Sequence, residues 1–322
     1  MKKFRISPPV AAIILAVVLF LLSGLLPNGY GSDVDVAISQ ATNIVRLAVF
    51  LGVIAAGQTL VIISGYEGID LSAGSVVTLT AILTYVIVSG ENAMVIPALL
   101  VAIAVGALVG FINGLGITFL KISPLVMTLG MSGVVTGAII VINHGNVSGK
   151  IAPIMTRVIA RPVAPNIPIP GAVVIWLLFG LFMWALLERT TFGKNLFAIG
   201  TNRVTAKLSG VNVTWTNIGA YALAGALTGF GGFLVVGNTG VVFIALGQPF
   251  LFPAIAAVAV GGTLLSGGKG SYWGTMAGAI VLTLITSLLT TMQMGESVRR
   301  MVLGATLLAL ISLYGRQKSF RQ

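Results

Sequence analysis

The chain has 322 residues, of which 57% are hydrophobic and only 8% charged. Soluble domains carry about 25% charged residues, so this composition excludes a soluble domain with a single anchor and predicts an all-α polytopic membrane protein. The net charge of +11 sits mostly in short loops and tails, which assigns it to membrane topology rather than to nucleic-acid binding. With no cysteine, disulfides, thiolate metal sites and cysteine nucleophiles are excluded as well. The first apolar run, Pro8 to Leu26, follows Met1-Lys2-Lys3-Phe4-Arg5. At about 19 residues it is long for a leader core and suits a retained span with its N-terminus inside.

About ten apolar segments follow one another: 8–26, 43–64, 71–89, 94–120, 124–142, 171–187, 217–236, 251–265, 272–292 and 298–315. The fourth would be about 40 Å long as a helix, so it should tilt or protrude, and the eighth is short enough to be a half-helix. The whole of 1–322 reads as one transmembrane domain. With the N-terminus inside, the C-terminus is also inside. Twelve of the eighteen Lys and Arg then lie inside and five outside, with Arg46 within the second segment. That balance favours the orientation, against the three basic residues Lys150, Arg157 and Arg161 of the outer loop 143–170. The loop ends in a proline-rich stretch, 162–170, that should be extended. Segments one to five and six to ten start in opposite directions. If the halves are related they are inverted five-helix repeats, with a solute path at the repeat interface.

Three glycine-punctuated stretches interrupt the apolar pattern. In Ser64–Ser75, Glu67 and Asp70 are carboxylates at or near membrane depth, where charge is costly and usually has a task. Asp70 is well placed to cap the next helix through the backbone N–H of Ser72 or Ala73, and Glu67 to face water or pair with a lysine. In the second, Asn113-Gly114 leads to Ser123-Pro124, a cap followed by a first-turn proline. Asn113 is a buried amide that either bonds a neighbouring helix or lines a path for a hydroxylated solute. The third, Gly261–Ser271, contains Lys269, but the residue directly after it is Gly270 and not Ser or Thr. It is therefore not a phosphate-binding loop, and it reads as a tight helix–helix turn. His144, the single histidine, has no metal-binding company and reads as a loop residue. No metal site or catalytic constellation is visible in the membrane.

Between the sixth and seventh segments lies a polar, basic insert, about 188–213. It predicts one short helix, with Asn202 as N-cap, Arg203 to Ser209 as two turns and Gly210 as the left-handed residue after the end. Val204 and Leu208 share one face, Arg203 and Lys207 another. This amphipathic pattern suits a groove on a soluble partner or the surface of anionic lipid, and composition leaves both open.

Four blocks in order carry a resemblance over most of the chain. They are Gly68-Ile69-Asp70-Leu71-Ser72-Ala73-Gly74-Ser75; Asn113-Gly114 with Ile122 to Gly130; Thr191-Phe192-Gly193-Lys194 with Ala198 to Asn202 and Ala206 to Val211; and Ala256 to Gly270. Together they resemble the permease subunits of bacterial ATP-binding-cassette sugar importers, the ribose, xylose, arabinose and galactoside group. The resemblance implies a multi-pass protein of the bacterial inner membrane. It implies cytoplasmic ATPase subunits that hold ATP and Mg, a second permease copy or paralogue, and a periplasmic or lipid-anchored solute-binding protein. It also implies that Gly193, Gly200, Asn202, Ala206, Lys207, Ser209 and Gly210 belong to the loop that contacts the ATPase. Tyr66-Glu67 and Thr286-Ser287-Leu288 depart from the group's usual glycine and Asn-Gly patterns, which leaves the sugar unnamed.

The expectation is an ATP-driven importer subunit, itself without enzymatic chemistry or cofactor, that moves a monosaccharide by alternating access. Asn113, Thr128, Thr263, Glu67 and Asp70 are its path candidates. The competing expectations are the same architecture for branched-chain amino acids, nucleosides or a sugar-derived signal, an ion-coupled transporter resting on Glu67, Asp70 and Arg46, and a channel, for which no filter signature is present.

Overall fold

The computed structural model describes residues 7–316, apart from 27–28, 66–67, 144–147 and 165–166. Glu67 and His144 therefore lie outside the described residues. In chain order the elements are α1 (Pro8–Gly24), α2 (Val34–Ile63), α3 (Ala73–Val88), α4 (Val95–Phe119), α5 (Pro124–Asn143), α6 (Pro153–Ile159), strands β1 (Pro162–Ala164) and β2 (Ile167–Pro170), α7 (Gly171–Trp184), α8 (Thr191–Thr201), α9 (Arg203–Leu208), α10 (Val213–Thr239), α11 (Gln248–Val260), α12 (Tyr272–Thr291) and α13 (Glu296–Arg316). Each of the ten apolar segments falls on one of these helices. Six helical stretches among the described residues are long and apolar enough to cross a membrane, and three shorter apolar helices, α1, α3 and α11, accompany them. The chain is an all-α polytopic membrane protein; its only described strands are the short antiparallel pair β1–β2 in the proline-rich stretch.

α2 begins nine residues before the apolar segment that predicted it. The Asp33 side chain caps it, accepting from the N–H groups of Asp35 (2.9 Å) and Val36 (3.1 Å), so the polar first turns are helical even though they are not lipid-soluble. From Ala48 to Ile63 every residue of α2 is buried. This half is the centre of the fold, packed against α7, α10, α11 and α12. Gly52 lets the Trp176 ring of α7 lie on the backbone of α2, because a Cβ there would come within 2.3 Å of it. Trp176 donates to the Tyr272 hydroxyl of α12, which donates to the Gly52 carbonyl, each at 3.0 Å.

α4 and α10 meet backbone to backbone. A Cβ at Gly106 would lie 2.2 Å from the Gly225 carbonyl, and one at Gly110 would lie 2.0 Å from that of Tyr221. Apolar burial does not distinguish helix from lipid, so close approach of this kind is what holds membrane helices together.

Two contact groups mark the two ends of the bundle. At one, Gly90 N–H donates to the Lys150 carbonyl (2.7 Å) and Ile154 N–H to Asn92 Oδ1 (3.2 Å). At the other, Gly268 N–H donates to the Ile63 carbonyl (2.9 Å). α3 and α11 run from a shared level towards opposite ends. Gly247 N–H donates to Thr78 Oγ1 of α3 at 3.0 Å, and a Cβ on Gly247 would sit 2.1 Å from the Gly74 carbonyl. With 16 and 13 residues, the two helices are about 24 and 20 Å long, shorter than a hydrocarbon core of about 30 Å. Their N-termini meet inside the protein, each reached by a stretch of chain that folds back from the end of a long helix. The half-helix expected for the eighth segment is therefore one of a pair.

Candidate functional site

The first fold-back follows α2. Gly65 has φ +73°, and Gly68 lies so close to the Val61 carbonyl that a Cβ would be 2.1 Å from it. The chain thereby returns along α2 and brings Asp70 beside Gln58. The Gln58 amide donates to the Asp70 carbonyl (2.6 Å) and accepts from the Asp70 N–H (3.2 Å). A lone side-chain amide thus satisfies both backbone groups of a residue in an irregular segment, as a neighbouring strand would.

From Asp70 a chain of donors runs outward. Asp70 Oδ1 accepts from the Ser72 N–H at 2.8 Å and from the Ser72 hydroxyl. Ser72 Oγ accepts from Asn113 Nδ2 of α4 at 3.0 Å. Thr128 of α5 accepts from the Leu71 N–H (3.0 Å) and donates to the Pro124 carbonyl (2.8 Å). Gln58, Asp70, Ser72, Asn113 and Thr128 are all at most 2% exposed. Two oxygens are left over: Asn113 Oδ1 and the Tyr221 hydroxyl of α10 have no hydrogen-bond partner among the described residues. Three path candidates, Asp70, Asn113 and Thr128, thus belong to one network around the break. Thr263 does not. It is buried in the α11–α12 turn at the far end of α11, with its own hydroxyl unpartnered.

The cap expected of Asp70 is shifted by one role. Its carboxyl bonds the Ser72 N–H as expected, but Ser72 occupies the N-cap position of α3, so the bond closes a turn ahead of the helix. Gln58, the Ser72 hydroxyl and Tyr221 escaped the sequence reading. Gln58 carried a usable signal, because it is the only amide between Arg46 and Ile63.

The second candidate region is the insert, and it holds two helices where one was expected. A π-helical turn, Ala185–Arg189, ends α7; Trp184 Nε1 donates to Glu188 (2.7 Å) and the Arg189 guanidinium lies 4.8 Å from the Trp184 ring centre. Thr190 caps α8, its hydroxyl accepting from Gly193 N–H at 3.1 Å. Asn202 caps α9, with Oδ1 accepting from the N–H groups of Val204 and Thr205, both at 3.0 Å. The end of α9 is a Schellman motif: Gly210, at φ +84°, donates to the Lys207 carbonyl (3.1 Å) and Val211 to that of Ala206 (3.1 Å). Ala206 is buried with Ile199 and Val213, which fixes α9 to the rest of the chain. Val204 (69% exposed) and Leu208 (84%) face away from it. Of the residues assigned to the ATPase-contacting loop, Gly193 and Ala206 are buried, and Gly200 is half-buried against backbone. Asn202, Lys207, Ser209 and Gly210 are exposed.

A family model described as the branched-chain amino acid transport system permease component matches residues 40–311. The ribose import permease protein RbsC of Bacillus subtilis is 34% identical over 86% of this chain and 84% of its own length. The galactose/methyl galactoside import permease protein MglC of Salmonella typhimurium is 33% identical over 85% of each chain. The fructose import permease protein FrcC of Rhizobium meliloti is 30% identical over 88% of this chain and 78% of its own. No solved structure gives a match. A match of this extent, over a multi-pass helical chain with a capped polar insert, makes this protein a member of the permease family of ATP-binding-cassette importers to which those sugar permeases belong.

Proposed function

We propose that this chain is the membrane-spanning subunit of an ATP-driven importer that moves a monosaccharide by alternating access. The observation that carries the reading is the exposed Val204–Leu208 stripe on α9, a six-residue helix fixed at both ends by its caps and by Ala206. An apolar stripe held out on a rigid support is the form a groove-binding helix takes. The three relatives named above, at 30–34% identity, are sugar import permeases, which favours a sugar over the amino acid of the family's description.

In this reading, cytoplasmic ATPase subunits hold ATP and Mg and dock on α9. A periplasmic or lipid-anchored binding protein delivers the solute, and a second permease copy or paralogue completes the path. Both termini are cytoplasmic, and ten spans form two inverted five-helix halves. The order long helix, fold-back, half-helix, helix in α2–α3–α4 recurs in α10–α11–α12, which supports that symmetry. Asn113 and Thr263 remain the better path candidates, since their unpartnered oxygens are free to accept from a sugar hydroxyl once the bundle opens.

The test is reconstitution in liposomes with the partner ATPase and binding protein. Monosaccharide uptake should require ATP hydrolysis and persist in the presence of a protonophore. Accumulation against a gradient by the purified chain alone would overturn the reading. Leu208→Asp should release the ATPase during co-purification while leaving the permease folded, because none of the described residues covers that side chain.

A further inference from the structure

Three backbone segments meet at the end of the bundle next to the insert: the end of α2, the end of α8 and the turn between α11 and α12. Gly200 of α8 lies so near α2 that a Cβ would be 1.9 Å from the Ile63 carbonyl and 2.4 Å from Gly268 N. That carbonyl belongs to the last turn of α2, where no intrahelical donor remains, and Gly268 N–H satisfies it at 2.9 Å. Gly267 sits on Gly65, where a Cβ would be 2.4 Å from Gly65 Cα. Gly268 sits on Thr201, where a Cβ would be 2.8 Å from its backbone N and Cα. Gly65, Gly267 and Gly268 have φ of +73°, +86° and +75°, a region that L side chains rarely enter.

We propose that Gly65, Gly200, Gly267 and Gly268 form a rigid joint that carries displacement of α8–α9 to the fold-back at Asp70, so that they are positioning residues for coupling. The proposal rests on the reading of α9 as the ATPase dock. The contacts are backbone on backbone, and no rotamer change can absorb a push across them. On one side the joint adjoins Thr201, the residue before the α9 cap. On the other, Gly65 is followed by the fold-back, which lies on Val61 through Gly68 and on Gln58 through Asp70. A glycine cluster that merely relieved crowding would be indifferent to a small loosening, whereas a transmitting joint would not be.

The experiment uses the full transporter in liposomes, with ATPase and binding protein. Gly267→Ala should leave ATPase co-purification and basal ATP hydrolysis unchanged and lower solute imported per ATP by about tenfold, as expected where an added methyl forces packed backbones apart. Gly304→Ala is the control, because outside its own helix turn no atom of the described residues lies within 4 Å of a Cβ there. Import per ATP within about twofold of native for Gly267→Ala, well under the 1.4 kcal/mol of a tenfold change, would overturn the proposal. Should Gly267→Ala fail to fold, a cross-link decides. Thr201 and Ser266 line one hollow beside the joint, and the chain has no cysteine of its own. Joining Thr201→Cys to Ser266→Cys with a short thiol linker should preserve ATP-driven uptake if the parts move together, and loss of uptake on linking would refute the joint. Failure of the docking reading looks different: Leu208→Asp would then keep the ATPase bound, or native uptake would not need ATP.

Discussion

The two fold-backs that lead into α3 and α11 occupy matching places in the chain but are held by different means. The one before α3 is closed by side chains: Gln58, Asp70, Ser72, Asn113 and Thr128 hold it to α2, α4 and α5. The one before α11, residues 240–247, is held by local backbone turns, by the Thr239 hydroxyl of α10 donating to the Val241 carbonyl (3.0 Å) and, among the described residues, by one bond from another helix, Gly247 N–H to Thr78 Oγ1. It carries Val241, Phe243 and Ile244 half-exposed. An irregular segment inside a membrane protein must have its polar backbone groups satisfied internally. The first segment meets that need with buried side chains from three helices, the second with its own turns and a glycine small enough to touch α3. The first should therefore act as an anchor and the second as the side that yields.

That contrast breaks most directly at Asp70. Asp70→Ala leaves the Ser72 N–H and hydroxyl without their acceptor in a site 0–2% exposed. Each such bond is worth about 0.5–1.5 kcal/mol, and an unpaired buried donor adds a desolvation cost of about 1–3 kcal/mol. The expected loss is about 3 kcal/mol or more, read as a collapse in yield or apparent melting temperature in detergent. Asp70→Asn keeps an acceptor oxygen for the Ser72 N–H and should retain most of that stability. At the other fold-back, Gly247→Ala brings a methyl against the Gly74 carbonyl and should cost about 1–3 kcal/mol. If Gly247→Ala proves the costlier in melting temperature, the assignment of anchor and yielding side is reversed.

How legible these regions were follows from the forces that make them. Hydropathy found every long helix, because lipid solubility is a local property of residues 15–20 at a time. It missed the first turns of α2, where Asp33 supplies a cap that hydropathy does not weigh. In α8, Lys194 and Asn195 dilute an apolar face that is buried only at Gly193, Leu196 and Ile199. The caps at Asn202 and Gly210 were readable because capping is decided within a few residues. The Gln58–Asp70 pairing was not, since it depends on a chain reversal whose partners are set by tertiary contact. Ser72 and Asn113, forty-one positions apart, leave no spacing signature. The packing of Gly200 was equally hidden: the resemblance assigns it to the ATPase-contacting loop, and its nearness to Ile63 and Gly268 is a tertiary contact with no local signature.

A smaller effect sharpens the difference between network and local geometry. Asn202→Ala removes one side-chain acceptor shared by two N–H groups at an exposed helix start. Such caps are worth about 1 kcal/mol. The loss should appear as faster hydrogen exchange in 203–208 and weaker ATPase retention, with the global melting temperature nearly unchanged. The same change at Gly210 acts through the backbone. At φ +84° alanine costs about 1 kcal/mol, although nothing lies within 4 Å to clash with it. Gly210→Pro demands φ near −65° and removes the donor to the Lys207 carbonyl, so it should unravel the end of α9. Equal exchange protection of α9 in Gly210→Ala and Gly210→Pro would mean that Ala206 alone holds the helix, and the Schellman motif would then have no part in presenting Leu208.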